Sequence, residues 1–286
     1  MKGDKNYFKE IVNYYNSSQP LYRAFIYNTN SLGMHFGFWD KKTKNERGAT
    51  INTNRELIKL GNINGRDVIL DAGCGVGGTA IYVSKNTGAR VVGITLVQKQ
   101  VDLAKYYAKM HKVDLLTDFQ VQDYSKTNFP NNYFDVVYGI ESICYSYPKE
   151  RFLKEAYRVL KPSGRLIVID GYTIKDPKKL KDKKRLTEFN MAFSIKQIIT
   201  KNKFSDLIIK SKFGNLKVID KTKEVLPSGL HYYNFGKRYF LLIKIFSYLP
   251  FQVFKAITRN YNATRLFYEF LKSGFGGYFV HYAEKL

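Results

Sequence analysis

Between residues 67 and 172, short apolar runs alternate with helix-length amphipathic segments, and this alternation constrains the fold of the 286-residue chain more than any other feature. Runs of this length rich in β-branched residues read as strands buried on both faces. Strands separated by helices pair in parallel. "DVILDAG", "ARVVGIT", "DFQVQDY", "FDVVYGI" and "RLIVIDGY" supply five such strands. "GTAIYVSKN", "QVDLAKYYAKMHK" and "KERFLKEAYRVLK" supply helices between them. Beyond residue 173 the pattern changes. "KKRLTEFNMAFSI" reads as a helix, "FSDLIIKSKFG" as a helix ended by Gly214, "LKVIDKT" as a sixth strand and "GGYFVHYAEK" as a last one. The expectation is an α/β, Rossmann-like, doubly wound seven-stranded sheet, with an aromatic helical cap inserted at 226–273 before the final strand. No repeat or flexible linker divides the chain, so residues 1–286 read as one domain. Its parts are a helical amino-terminal segment (1–60), a core (66–172), a lid helix with the sixth strand (173–225), the cap and the last strand (275–286).

The two cysteines, Cys74 and Cys144, lack CxxC spacing, which argues against a disulfide framework or a zinc site. The polar start "MKGDKNYFKE" does not read as a secretory signal, and "YFLLIKIFSYLPFQVF" is broken by Lys244 and Pro250 and is short for a membrane span. These features suggest a cytoplasmic protein, soluble or peripheral. With 47 basic and 24 acidic residues, the formal charge of +23 favours an anionic partner or reflects a lysine-rich solvated surface. The densest run, "KDPKKLKDKKR", reads as an exposed helix start.

The turn "ILDAGCGVGGTA" joins a strand to a helix, and Gly73, Gly75 and Gly78 satisfy GxGxxG. Two details argue against a dinucleotide. Asp71 projects beside the turn where a pyrophosphate would rest, and a carboxylate there repels phosphate and attracts a cation. The second strand ends in Thr95 where an acid would be expected for a ribose. S-adenosylmethionine, which has no phosphate and carries an ammonium and a sulfonium, satisfies both details.

On these residues the chain resembles class I S-adenosylmethionine-dependent methyltransferases over 66–172 and the final strand. "DAGCGVGG" resembles their cofactor loop, with Asp71, Gly73, Gly75 and Gly77. "GITLVQKQ" is similar to the segment of cyclopropane fatty acid synthases and sterol methyltransferases. The resemblance implies that Thr95, Leu96 and Gln100 surround the ribose and adenine. It also implies that Asp123 of "VQDY", with Tyr124 beside it, meets the adenine amino group. "YGIESICYSYP" resembles the segment after the fourth strand in sterol C-methyltransferases and in enzymes acting on prenyl diphosphates, with Glu141, Ser142 and Cys144 or Tyr145 in the matching places. "SLGMHFGFWD", carrying His35 and Trp39, resembles the amino-terminal substrate segment of sterol and tocopherol methyltransferases. "VLPSGLHYY", with His231, resembles the stretch leading into their lid.

Strand ends of an open parallel sheet face the ligand crevice, so Glu141 faces the reacting centre. If a carbon–carbon double bond attacks the sulfonium methyl, a carbocation forms, and a carboxylate can stabilise it and remove a proton. Aromatic faces help the same cation. Tyr14, Tyr15, Tyr22, Tyr27, Tyr145 and Tyr147 are candidates for the pocket wall, with Trp39 and His231. The cap lines a pocket for a long lipophilic acceptor, rests on an anionic membrane through Lys237, Arg238, Lys244 and Lys255, or simply packs as helices over the sheet.

Other classes stay open at this level. In a small-molecule O- or N-methyltransferase, Glu141 positions the nucleophile and His35 or His231 serves as base. A nucleic-acid methyltransferase has only the charge in its favour, because "IESICY" stands where a base-holding Pro-Pro-Tyr turn or a Pro-Cys nucleophile would lie. A non-catalytic binding protein is the third. The reading carried forward is methyl transfer from S-adenosylmethionine to a lipophilic isoprenoid, sterol-like or unsaturated lipid. The catalytic residues expected are Glu141 and His35, no metal ligands are expected, and the oligomeric state is left open.

Overall fold

The computed structural model describes residues 2–23, 31–238 and 252–286. Tyr27, Lys244 and the middle of the apolar cap lie outside them, as does the side chain of Lys255.

Seven strands form one sheet: β1 (Val68–Ala72), β2 (Arg90–Thr95), β3 (Thr117–Val121), β4 (Phe134–Ile140), β5 (Leu160–Thr173), β6 (Phe213–Asp220) and β7 (Gly276–Lys285). Their order is β3-β2-β1-β4-β5-β7-β6. β1 pairs in parallel with β2 on one side and β4 on the other, which makes the β1/β4 boundary the point where the winding reverses and a crevice opens. β7 enters antiparallel between β5 and β6, setting Tyr278 opposite Gly171.

Alternation along each strand divides the apolar side chains between two cores. Ile69, Tyr138 and Ile167 belong to one, and Leu70, Val137 and Leu166 to the other. The helices are α1 (Lys2–Leu21), α2 (Glu46–Leu60), α3 (Gly78–Thr87), α4 (Gln98–Met110), α5 (Lys149–Val159), α6 (Leu180–Phe193), α7 (Lys201–Lys210), α8 (Thr222–Arg238) and α9 (Gln252–Lys272). α5 shows why such segments are helical: Phe152, Leu153, Ala156 and Val159 recur at helical spacing and are all buried against the sheet. Each fully buried large apolar side chain contributes about 1.5–3 kcal/mol.

The sequence expectations hold for the sheet, with one boundary moved. α7 ends at Lys210 with Ser211 as its cap, and Gly214 lies inside β6 instead of ending the helix. The basic run before and into α6 is exposed, apart from Pro177 and Asp182, which are half-buried. No helix among the described residues is long and apolar enough to cross a membrane.

The amino-terminal segment is fastened over the carboxyl ends of the strands. Phe38 N–H donates to Ala49 O at 3.0 Å and Trp39 N–H to Glu224 O at 2.9 Å, joining this segment to α2 and α8. α1 is tied to α9 by Arg259, whose Nη2 donates to Ser17 Oγ and Ser18 Oγ at 2.9 Å each. α6, α8, α9 and α1 therefore form a helical roof above the crevice.

The β1 turn depends on conformations that only glycine adopts freely. Gly73 has φ +98°, and a Cβ there would lie 2.4 Å from Ser142 Cβ. Gly73→Ala should lower stability by about 1–3 kcal/mol. Gly171→Ala is the control, since an added Cβ meets nothing within 4 Å there. Urea denaturation of both variants measures the difference.

Candidate functional site

Two cavities meet above the β1/β4 boundary. The first, about 650 Å³, runs along the glycine turn and is lined by Asp71, Gly73, Gly75, Thr95, Leu96, Gln100, Asp123 and Tyr124 among others. The second, about 420 Å³, lies under the helical roof and is walled mainly by aromatic side chains. Both volumes fall in the range of about 300–1,000 Å³ usual for small-molecule sites. Tyr15, Met34, His35, Glu141 and Tyr145 line both, so they form the partition between the cavities.

In the first cavity, Asp71 is buried at the end of β1 and its Oδ2 accepts from Tyr138 OH at 2.8 Å. Burial pushes its carboxyl up to about 7, against the opposing effect of that hydrogen bond. A cation beside it would favour the charged form. Thr95 Oγ1 donates to Gln100 Oε1 at 2.7 Å, which orients the amide, and Gln100 Nε2 is buried without a partner among the described residues. Such a donor on a cavity wall calls for an acceptor from a ligand. Asp123 Oδ1 caps the turn after β3, accepting from Ser125 N–H at 2.8 Å. Tyr124 OH donates to Ser142 O at 2.9 Å and braces the loop after β4. Gly77 lines neither cavity. It precedes α3 with φ +81°, and a Cβ there would meet the Phe119 ring at 2.9 Å, so its place is in the turn and its packing, while Gly78 takes the lining position.

Glu141 stands in the partition. Its backbone has φ +49°, and its N–H donates to Ile169 O at 2.9 Å, which turns the chain sharply off β4. Oε1 accepts from Phe36 N–H at 2.8 Å and from Tyr278 OH at 2.6 Å. Oε2 has no partner among the described residues. Burial pushes this carboxyl up to about 8, and the bonds from Tyr278 and Phe36 oppose the rise. Ser142 Oγ donates to Ala72 O at 2.5 Å, and Cys144 N–H donates to Asp170 Oδ2 at 2.8 Å, so the loop is fixed at both sides of the turn.

His35 is buried in the same partition, with Nδ1 3.0 Å from Phe36 O and Nε2 3.5 Å from Thr79 Oγ1. Burial lowers its pKa, so the ring is held neutral. Tyr14, Tyr15, Tyr22 and Tyr145 line the aromatic chamber as expected. Tyr15 and Tyr145 meet edge to face at 5.8 Å, and Phe36 stacks on Phe267 at 3.8 Å.

Three expected pocket residues fall elsewhere. Trp39 lines neither cavity: its Nε1 donates to Ser228 Oγ at 2.9 Å and Glu46 Oε2 at 3.3 Å, which makes it a strut between the amino-terminal segment and α8. His231 is exposed on α8, and its ring packs beside that of Tyr232, which is the residue that enters the chamber. Tyr147 is half exposed and lines the first cavity. His281 is fully buried in β7. The residues that sequence reasoning missed are Tyr278, Phe36, Asp170 and Tyr232. Tyr278 had no local signal, because its contact with Glu141 arises from the register of β7.

The comparisons agree with this geometry. Residues 70–168 match the family model described as a methyltransferase domain. Sterol 24-C-methyltransferase of Saccharomyces cerevisiae is 41% identical over 104 residues, covering 36% of this chain and 27% of that protein. The 27-O-demethylrifamycin SV methyltransferase of Amycolatopsis mediterranei is 31% identical over 156 residues, 54% of this chain and 57% of that protein. The chain thus spans roughly a quarter to just over half the length of these two relatives. Among solved structures, a cyclopropane synthase of Mycobacterium tuberculosis superposes with TM-score 0.81 at 16% identity, covering 97% of this chain and 98% of that one. A geranyl diphosphate methyltransferase bound to its substrate and sinefungin gives TM-score 0.76 at 18% identity, over 98% and 100%.

The doubly wound fold is thus shared with these solved structures, and its core segment matches a methyltransferase domain. Over residues 70–168 the chain is similar to class I S-adenosylmethionine-dependent methyltransferases.

A carboxyl held neutral by burial binds its proton more tightly folded than unfolded. The stability it allows is therefore full below about 4.5 and falls as pH rises toward about 8. Gln at the same place keeps an acceptor for Phe36 and Tyr278 and does not titrate. Glu141→Gln should accordingly gain on the unsubstituted protein across that interval by more than about 1.4 kcal/mol, the equivalent of one pKa unit. Chemical denaturation of the cofactor-free protein at several pH values checks the sign.

Proposed function

We propose that the protein transfers a methyl group to a carbon of a lipophilic acceptor, an isoprenoid, sterol-like or unsaturated lipid. The observation that carries this reading is Glu141, held between a cofactor-sized cavity and an aromatic chamber, with no partner on Oε2 among the described residues. S-adenosylmethionine supplies an electrophilic methyl group on a sulfonium. The residues that would hold it are Asp71, Gly73, Gly75, Thr95, Leu96, Gln100, Asp123 and Tyr124, and the unpaired Gln100 Nε2 and the buried Asp71 carboxyl fit such a ligand.

The remaining work falls to the chain's own side chains. Phe36 N–H and Tyr278 OH occupy Oε1 of Glu141, so Oε2 is the atom that takes a proton from the acceptor's cation. A positive charge in the adjacent cavity would favour the ionised carboxylate that this step needs. The rings of Tyr14, Tyr15, Tyr145, Phe36 and Phe267 exclude water and offer their faces to a transient cation, each contributing about 0.5–2 kcal/mol. His35, neutral and bonded through Phe36 O, steadies the backbone that donates to Glu141.

The acceptor's route into the chamber supports a peripheral contact with an anionic membrane. Phe235 and Gly236 line the chamber from the last turns of α8, and Lys237 and Arg238 follow them, exposed.

Product mass spectrometry with deuterated-methyl S-adenosylmethionine against sterols, squalene, prenyl compounds, unsaturated phospholipids, phenols and amines tests the proposal. Label on carbon is expected, and label on oxygen or nitrogen would overturn it. In the same assay Glu141→Gln should lower kcat by about 100-fold or more while cofactor affinity, measured by calorimetry, changes little. Wild-type turnover in this variant would remove the catalytic role.

A further inference from the structure

The charge of the protein and the charge of the chamber have opposite signs. Of 47 basic side chains none, among the described residues, lines the aromatic chamber. Among the described residues, the ionisable groups other than tyrosines that line it are Glu141, Asp170, Cys144, whose thiol burial keeps protonated, and the neutral His35. Asp170 is buried on β5 and accepts from Gly171 N–H and Cys144 N–H at 2.8 Å each, bonds that hold its charged form in place.

The cations nearest the wall bond to groups outside it, although Arg259 Nε is buried without a hydrogen-bond partner among the described residues. Arg259 lies 4.3 Å from the Tyr14 ring centroid, but its Nη2 bonds to Tyr14 O, Ser17 Oγ and Ser18 Oγ, and it lines the outer grooves instead. Lys149 is buried behind the loop after β4, donating to Cys144 O at 2.6 Å and Ser146 O at 2.7 Å. Lys5, Lys126 and Arg151 line the cofactor cavity, on the other side of the partition. No group of three or more His, Cys, Asp or Glu side chains able to hold a metal ion occurs among the described residues.

A phosphate or diphosphate drawn into this chamber would lose its hydration and meet the Asp170 carboxylate, the buried Glu141 carboxyl and ring faces, whose exposed π-clouds are negative. A neutral lipid loses nothing of the kind and buries its whole length against the rings. We infer that the acceptor is an uncharged lipid, a free alkene, alcohol or sterol-type molecule without a phosphate or diphosphate group. This rests on the lipid-methylation reading and narrows it. It separates the chain from the structural neighbour that binds geranyl diphosphate.

The test is equilibrium binding to the full chain loaded with S-adenosylhomocysteine. The probes are farnesol against farnesyl diphosphate and geranylgeraniol against its diphosphate, each with and without excess Mg²⁺, together with squalene and a free sterol. The neutral member of each pair should bind at least about 10-fold tighter, with no gain for the diphosphate from Mg²⁺. Thr264→Lys, which introduces an ammonium at the chamber wall, should narrow that ratio. A diphosphate that binds as well as its alcohol, a Mg²⁺-dependent gain, or failure of every neutral lipid to bind overturns the inference. The deuterated-methyl assay reads the two ideas apart. Label on oxygen of a neutral lipid sinks the carbon reading and leaves the charge rule standing, while label on carbon of a prenyl diphosphate does the reverse.

Discussion

Three distant parts of the chain converge on one oxygen atom. Glu141 Oε1 accepts from Phe36 in the amino-terminal segment and from Tyr278 in the last strand, and Glu141 itself leaves the middle strand of the sheet. Because the backbone of Phe36 is held there, its ring is fixed against Phe267 and Tyr232, and α8 and α9 are positioned over the crevice through those rings. The chamber is thus a product of the carboxylate's hydrogen bonds as much as of apolar packing. An apolar residue at 141 would leave Phe36 N–H and Tyr278 OH without acceptors inside the protein, at about 1–3 kcal/mol each.

Burying an acid in such surroundings is costly, and the cost appears as the upward displacement of Glu141 to about 8 and of Asp170 to about 6. Both displacements have desolvation as their main cause, with hydrogen bonds only partly offsetting it. A fold selected for stability alone would put glutamine or an apolar side chain in the partition. The carboxyl makes sense where a positive charge arrives beside it, since the same low dielectric that penalises an isolated charge strengthens its attraction to a cation. Asp71 follows the same logic one strand away, displaced to about 7 and waiting on the other side of the partition.

The parts of this design that depend on neighbouring residues were legible in the sequence, and those that depend on register were not. Strand runs, the glycine turn and the place of Glu141 after β4 follow from spacing along the chain, because a buried parallel strand and a positive-φ turn impose local composition. Tyr278 faces Glu141 only because β7 runs antiparallel to β5 with Gly171 opposite it, and nothing near residue 278 announces that. Trp39 and His231 erred for a related reason. One residue along a helix rotates the side chain by about 100°, so on α8 Tyr232 enters the chamber while His231 faces solvent. Trp39 carries a donor that had to find an acceptor, and Glu46 and Ser228 supplied it outside the cavity.

The excess of lysine, the loudest feature of the composition, acts outside the site. Among the described residues nearly all basic side chains are at least partly exposed, and Lys149 and Arg259, which approach the chamber wall, donate to backbone carbonyls and serine hydroxyls on its outer side. Positive charge there can draw the protein toward an anionic surface without entering the aromatic chamber. The interior shows the reverse arrangement, acid and aromatic faces with no lysine or arginine lining it among the described residues. Keeping the two signs apart across one layer of aromatic rings allows a strongly basic protein to hold an acidic, apolar chamber.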